Sequence, residues 1–93
     1  MKEVEITCDV YGAWTVSPPL YRIYIDDEML CERAFLSMEY EFSRERLLVE
    51  LEESQEHTFR FENLPNKHPH DMVAYKNLLV NGQVVKPTFT VPN

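Results

Sequence analysis

Apolar and polar side chains alternate along most of this chain. Val4, Ile6, Cys8 and Val10 are interleaved with Glu5, Thr7 and Asp9. A period of two, rich in β-branched residues, marks a strand with one buried face. Tyr21, Ile23 and Ile25 share one face of a second strand, with Arg22 and Tyr24 on the other. Between them, residues 11–19 hold Gly12 and the adjacent Pro18 and Pro19, which interrupt a regular ladder and predict a loop. Asp26-Asp27 is a turn candidate, and a third strand is expected from near Met29 to Leu36. Further on, His57–Glu62 reads as a strand with Phe59 and Phe61 inward, and Met72–Val80 as another. Leu64–His70 carries two prolines and predicts a loop. Asn81-Gly82 predicts a type I′ hairpin, because both residues tolerate positive φ. Val84 and Val85 return from it, Pro87 marks an edge, and Thr88–Val91 can pair once more.

Residues 34–53 admit two readings. Their Ala, Glu, Arg, Leu and Met favour helix. Yet Leu36, Met38, Tyr40 and Phe42 alternate with polar residues, and Leu47, Val49 and Leu51 alternate again. A helical stripe through Phe35, Met38 and Phe42 fails at Glu45 and Arg46. The expectation is two strands, followed by a polar turn at residues 53–56, with a helix as the alternative. Short strands at roughly 8–12-residue spacing indicate an all-β, single small antiparallel β-sandwich or jelly roll.

Length and composition fit this picture. Ninety-three residues make one domain, 1–93, and 44% hydrophobic with 27% charged residues is globular composition. The net charge of −7 disfavours nucleic acid and anionic membrane surfaces, which clustered Lys and Arg bind. The charge is uneven: residues 1–56 hold 14 acids and 5 bases, net −9, whereas residues 57–93 hold 2 acids and 4 bases, net +2. Met1–Glu5 lacks the apolar run of a signal peptide, so Cys8 and Cys31 are expected to be reduced, buried thiols.

Candidate chemistry is sparse. There is no Walker loop, nucleophile elbow, paired-cysteine zinc pattern or His-Glu-x-x-His, and the expectation is a non-enzyme without cofactor. His68 and His70 flank Pro69 and point one way in an extended chain, with Asp71 following, which makes a candidate metal cluster. The other reading is a solvated loop. Asp26-Asp27-Glu28 offers oxygen ligands but lacks the spacing and glycine of an EF-hand. Trp14, beside Tyr11 and Tyr21, either stacks on a ligand from a loop tip or plugs the sandwich end. Tyr24 and Tyr40, facing away from their strands' apolar partners, are further ligand- or partner-binding candidates alongside Tyr11.

Two resemblances bear on function. Residues 20–33, 51–62 and 75–82 (reading LYRIYIDDEMLCER, LEESQEHTFRFE and YKNLLVNG) resemble small uncharacterised proteins of tailed phages of marine bacteria, including cyanophages. That resemblance implies a β-sandwich virion component: a capsid decoration, or a tail or baseplate part that works by protein–protein contact. The C-terminal half is similar to jelly-roll carbohydrate-binding modules of the calcium-dependent xylan-binding type. There Phe61-Glu62-Asn63, Asp71 and Val80-Asn81-Gly82 occupy the family's places, but the Gly-rich loop is Leu64–His70 and the Arg-Asn after the Asp is Met72-Val73. The expected partners are therefore virion components or a second copy, in the virion or host cytoplasm. A polysaccharide and a host protein are the alternatives.

Overall fold

The computed structural model describes residues 1–38, 41–65 and 71–91. Among these described residues there are eight strands: β1 (Lys2–Ala13), β2 (Leu20–Ile25), β3 (Glu28–Ala34), β4 (Phe42–Leu51), β5 (Glu56–Asn63), β6 (Met72–Val80), β7 (Gln83–Val84) and β8 (Thr88–Thr90). No described residue is helical, which removes the helical alternative for 34–53 over the residues described there. The strands make two four-stranded antiparallel sheets, ordered β4-β1-β6-β7 and β3-β2-β5-β8, packed as a β-sandwich. At twelve residues of roughly 3.4 Å each, β1 is the longest strand of a 46 × 23 × 18 Å body.

This order turns a charge asymmetry along the chain into one across the molecule. β1 to β4 occupy one side of both sheets and β5 to β8 the other, so the acidic half of the sequence and its mildly basic remainder lie side by side.

The inward positions of each strand make the core. Val4, Ile6, Cys8 and Val10 of β1 meet Tyr21, Ile23 and Ile25 of β2, with Phe59, Val73, Leu78, Val80 and Phe89. Both two-residue turns are of the expected kind. Asp26 and Asp27 have φ of 52° and 67° between the paired Ile25 and Glu28, and Asn81 and Gly82 have 50° and 80° between Val80 and Gln83.

Several boundaries differ from expectation. β1 continues through Tyr11, Gly12 and Ala13, which pair with Ala74, Val73 and Met72. Gly12 is a ladder residue: a Cβ there would collide with the Met72 carbonyl oxygen, so only glycine lets β6 approach this closely. Among the described residues from 35 to 53 there is one long strand, β4, where two were expected across 34–53. Leu36 and Met38 lie outside any strand and are exposed. The β2–β3 ladder ends at Leu20–Ala34, so beyond Ala34 the alternation has no partner strand to use it. Cys31 is only half-buried, because it lies on β3, the edge strand of its sheet, while Cys8 is buried; both are free thiols.

Candidate interaction surface

Residues 14–19 and 35–38 lie at one end of the sandwich, where β1 and β3 finish and β2, β4 and β6 begin. Phe35 closes this end of the core. It is fully buried, and its backbone N–H donates to the Pro19 carbonyl at 2.9 Å. Trp14 packs against the same core, and its indole N–H donates to the Ser37 carbonyl at 3.1 Å. The ring thus sits as a partly buried plug, and its donor is used within the chain. Nothing in the local pattern marks Phe35, since it follows a strand end and shows its burial only once both loops fold over it.

The outer face of the β4-β1-β6 sheet is apolar at this end. Residues directly opposite across a ladder share a face, and Tyr11 is opposite both Phe42 and Ala74, while Ala13 is opposite Met72. Phe42 stays 54% exposed, Met72 52% and Tyr11 40%. Tyr11, Gly12, Ala13, Met72 and Ala74 line a shallow depression of about 240 Å³. Lys76 lies with its Nζ 5.4 Å from the Tyr11 ring centroid. Val16, Leu20, Leu36 and Met38 are also exposed around this end.

The outer face of the other sheet has a different character. Arg22 Nε donates to Glu32 Oε1 at 2.6 Å, and the Tyr24 hydroxyl donates to Glu62 Oε1 at 3.0 Å. The Arg60 guanidinium lies 3.9 Å from the Tyr24 ring centroid, within ion-pair reach of Glu62 and Asp27. Tyr24 is therefore covered by a cation and lies on the face opposite Tyr11. Of the expected binding aromatics, Tyr11 and Trp14 share one end of the molecule, Tyr24 is elsewhere, and Tyr40 lies outside the described residues. So do His68 and His70. The Asp71 carboxylate is 3.4 Å from both the backbone N and the hydroxyl of Thr15. Among the described residues, no three His, Cys, Asp or Glu side chains converge as metal ligands.

The fold also assembles polar groups inside the sandwich. Glu45 occupies an inward position of β4 and is 7% exposed. Its Oε1 accepts from the Tyr21 hydroxyl at 2.8 Å and its Oε2 from Arg33 Nε at 2.7 Å. Both thiols feel it. Burial, then the Glu45 and Asp9 charges, pushes Cys8 up to about 12. Burial and Glu45 also raise Cys31. Burial, then the bond to Glu45, raises the Tyr21 hydroxyl. Thiols and phenol are thus held protonated at neutral pH, the opposite of what a nucleophile requires.

Two further polar clusters are structural. Asp9 is buried on the outer face of β1, where bonds from Arg44 at 2.9 Å and Asn77 at 2.8 Å lower its pKa. Asn77 reaches it from a bulge in β6, with φ of 58°. His57 bridges Asp26 Oδ2 at 2.6 Å and the Glu52 carbonyl at 2.8 Å, tying the β2–β3 turn to the end of β4.

No family model, curated protein or solved structure matches this chain.

Proposed function

We propose that this chain is a non-catalytic protein-interaction module, a phage virion component that decorates a capsid or sits in a tail or baseplate. The supporting observation is the apolar end of the β4-β1-β6 face, where Tyr11, Phe42 and Met72 stay exposed around the 240 Å³ depression. Large apolar side chains gathered at one place on a small domain fit a surface covered by another protein. The sequence resemblance to marine phage proteins supplies the virion setting. A sugar platform calls for uncovered aromatic rings. Trp14 packs on the core and Tyr24 lies under Arg60, so the uncovered rings are Tyr11 and Phe42, and the aliphatic Met72 and Ala74 set among them suit a protein partner better than a polysaccharide.

The test is a mass-spectrometric inventory of purified particles of the phage that encodes the chain. Its presence at a fixed ratio to the capsid protein supports the virion role. Recovery only from the soluble fraction of infected cells removes that role and leaves a host protein as the partner. Within particles, Phe42→Ser with Met72→Ser should lower incorporation while the domain remains folded.

A further inference from the structure

We propose that β4 is a self-docking edge, along which two copies of this chain pair antiparallel about a two-fold axis at Leu48. The proposal rests on the protein-interaction reading above and names the partner for one edge.

The first support is the edge itself. β4 lies at the margin of its sheet, and among the described residues no strand pairs with its second side. It pairs with β1 in ten successive steps without a register shift. It contains no proline or glycine, and no residue in it has positive φ. Exposed edges are ordinarily kept short, kinked or blocked by proline. The other three margins follow that rule: β7 has two residues, β8 has three and follows Pro87, and the β2–β3 ladder carries a bulge. Among the described margins, β4 alone presents a long, regular row of backbone donors and acceptors, guarded by charge rather than by shortness, kink or proline.

The second support is the charge order on its outer face. After Phe42, that face carries Arg44, Arg46, Leu48 and Glu50, and Glu52 follows in the same phase one residue past the strand. This order is complementary to its own reverse. Antiparallel pairing centred on Leu48 sets Arg46 opposite Glu50 and Arg44 opposite Glu52, each twice, with Leu48 against Leu48 on the axis. On the inner face the same register sets Leu47 against Val49. Parallel pairing would oppose like charges, and an antiparallel register displaced to centre on Arg46 would oppose arginine to arginine. Arg44 and Arg46 use Nε for Asp9 and Glu5 of their own chain, yet both side chains remain more than half exposed. Leu48 is 56% exposed at the centre. Glu50 faces Glu3 across the β1–β4 ladder, so within one copy it has a like charge opposite it.

The experiment is sedimentation velocity on the full chain at 0.15 M salt across a concentration series. A monomer–dimer equilibrium that stops at the dimer is expected. Leu48→Lys and Leu48→Glu should each raise the dimer dissociation constant about tenfold, because each sets like charges on the axis. An equimolar mixture of the two should restore dimer formation, since position 48 then meets its opposite. Glu50→Lys separates association from stability. It relieves the repulsion with Glu3 in its own chain, so the melting temperature should hold or rise, while it sets a cation against Arg46 of the partner copy and weakens the dimer. A wild-type chain that stays monomeric at millimolar concentration overturns the proposal. So does open-ended association, which would point to the acidic side of one copy meeting the basic side of the next, and so does a Leu48 pair that fails to rescue. A monomer still found in particles removes β4 pairing alone; a dimer found in none removes the virion role alone.

Discussion

Arg33 and Glu45 join the margins of the two sheets, with Arg33 Nε on β3 donating to Glu45 Oε2 on β4 at 2.7 Å. Glu45 is buried at an inward position, and its second oxygen takes the Tyr21 hydroxyl at 2.8 Å. Replacing Glu45 by Ala leaves a buried hydroxyl without its acceptor and a half-exposed guanidinium without its partner. Urea denaturation should show a loss of about 2–3 kcal/mol, since Arg33 can rehydrate and Tyr21 cannot. Adding Tyr21→Phe to that variant should cost less than the two single changes summed. A Glu45→Ala protein within about 0.5 kcal/mol of wild type would show the bridge to be incidental.

The His57–Asp26 contact makes stability depend on pH in a calculable direction. Burial is the largest influence on His57 and opposes its charge, but the bonds to Asp26 and to the Glu52 carbonyl together outweigh it, so the pKa lies above 6.5. Burial also leads at Asp26 and raises it, yet the bonds from His57 and the Thr58 N–H win and lower it below 3.8. The His57 contribution is therefore complete below pH 6.5 and lost as pH rises through the folded value. The Asp26 contribution is present above pH 3.8 and lost as pH falls through its folded value. Melting temperatures from pH 3 to 9 should peak between these limits. In Asp26→Asn, which suits the φ of 52° there, only the contact with Glu52 is left to oppose burial at the imidazole, and the decline above pH 6.5 should shrink or reverse. An unchanged slope in that variant would mean that His57 does not report on Asp26.

The two thiols should react at different rates. Cys8 is buried with its pKa pushed up to about 12, while Cys31 is half-buried on an edge strand. A thiol reagent at pH 8 should label Cys31 slowly and Cys8 only as fast as the domain unfolds. Urea below the unfolding midpoint should accelerate Cys8 alone. Prompt labelling of both in native buffer would count against this burial.

Gly12 sets how closely β1 and β6 approach beneath the apolar end. Gly12→Ala should destabilise the domain by about 1–3 kcal/mol, because the added methyl drives into the Met72 carbonyl. Gly82→Ala meets open space and suffers only from its φ of 80°, which costs about 1 kcal/mol. Hydrogen exchange should quicken around Val73 in the first variant and not in the second. Equal losses and equal exchange would mean that the close approach is not what position 12 provides.

Much of the architecture was legible because it is local. Alternation with period two determines which side chains of a strand share a face, and it located β2, β5 and β6 nearly to the residue. Paired small polar residues between such runs determined both tight turns, since Asp26-Asp27 and Asn81-Gly82 relieve the positive φ that a type I′ turn imposes. Tyr11 was legible as a candidate, but its neighbours Phe42 and Met72 were not. Phe42 shares an apolar phase with Leu36 and Met38, and the phase reverses before Leu47. β4 runs unbroken from Phe42 to Leu51 with its odd-numbered residues inward, which turns Phe42 out. Which run of alternation becomes a strand depends on whether a partner lies beside it, and the partner of β4 is β1, more than thirty residues earlier. The same holds for Glu45: its local pattern reads as a break in an apolar face, and only donors from Tyr21 and Arg33, 24 and 12 positions away, let a carboxylate occupy a core position. The sequence by itself determined faces and turns, because these follow from neighbouring backbone geometry. Tertiary structure alone decided which strands meet, which buried polar groups find partners, and which apolar side chains are left uncovered, because each depends on residues distant in the chain.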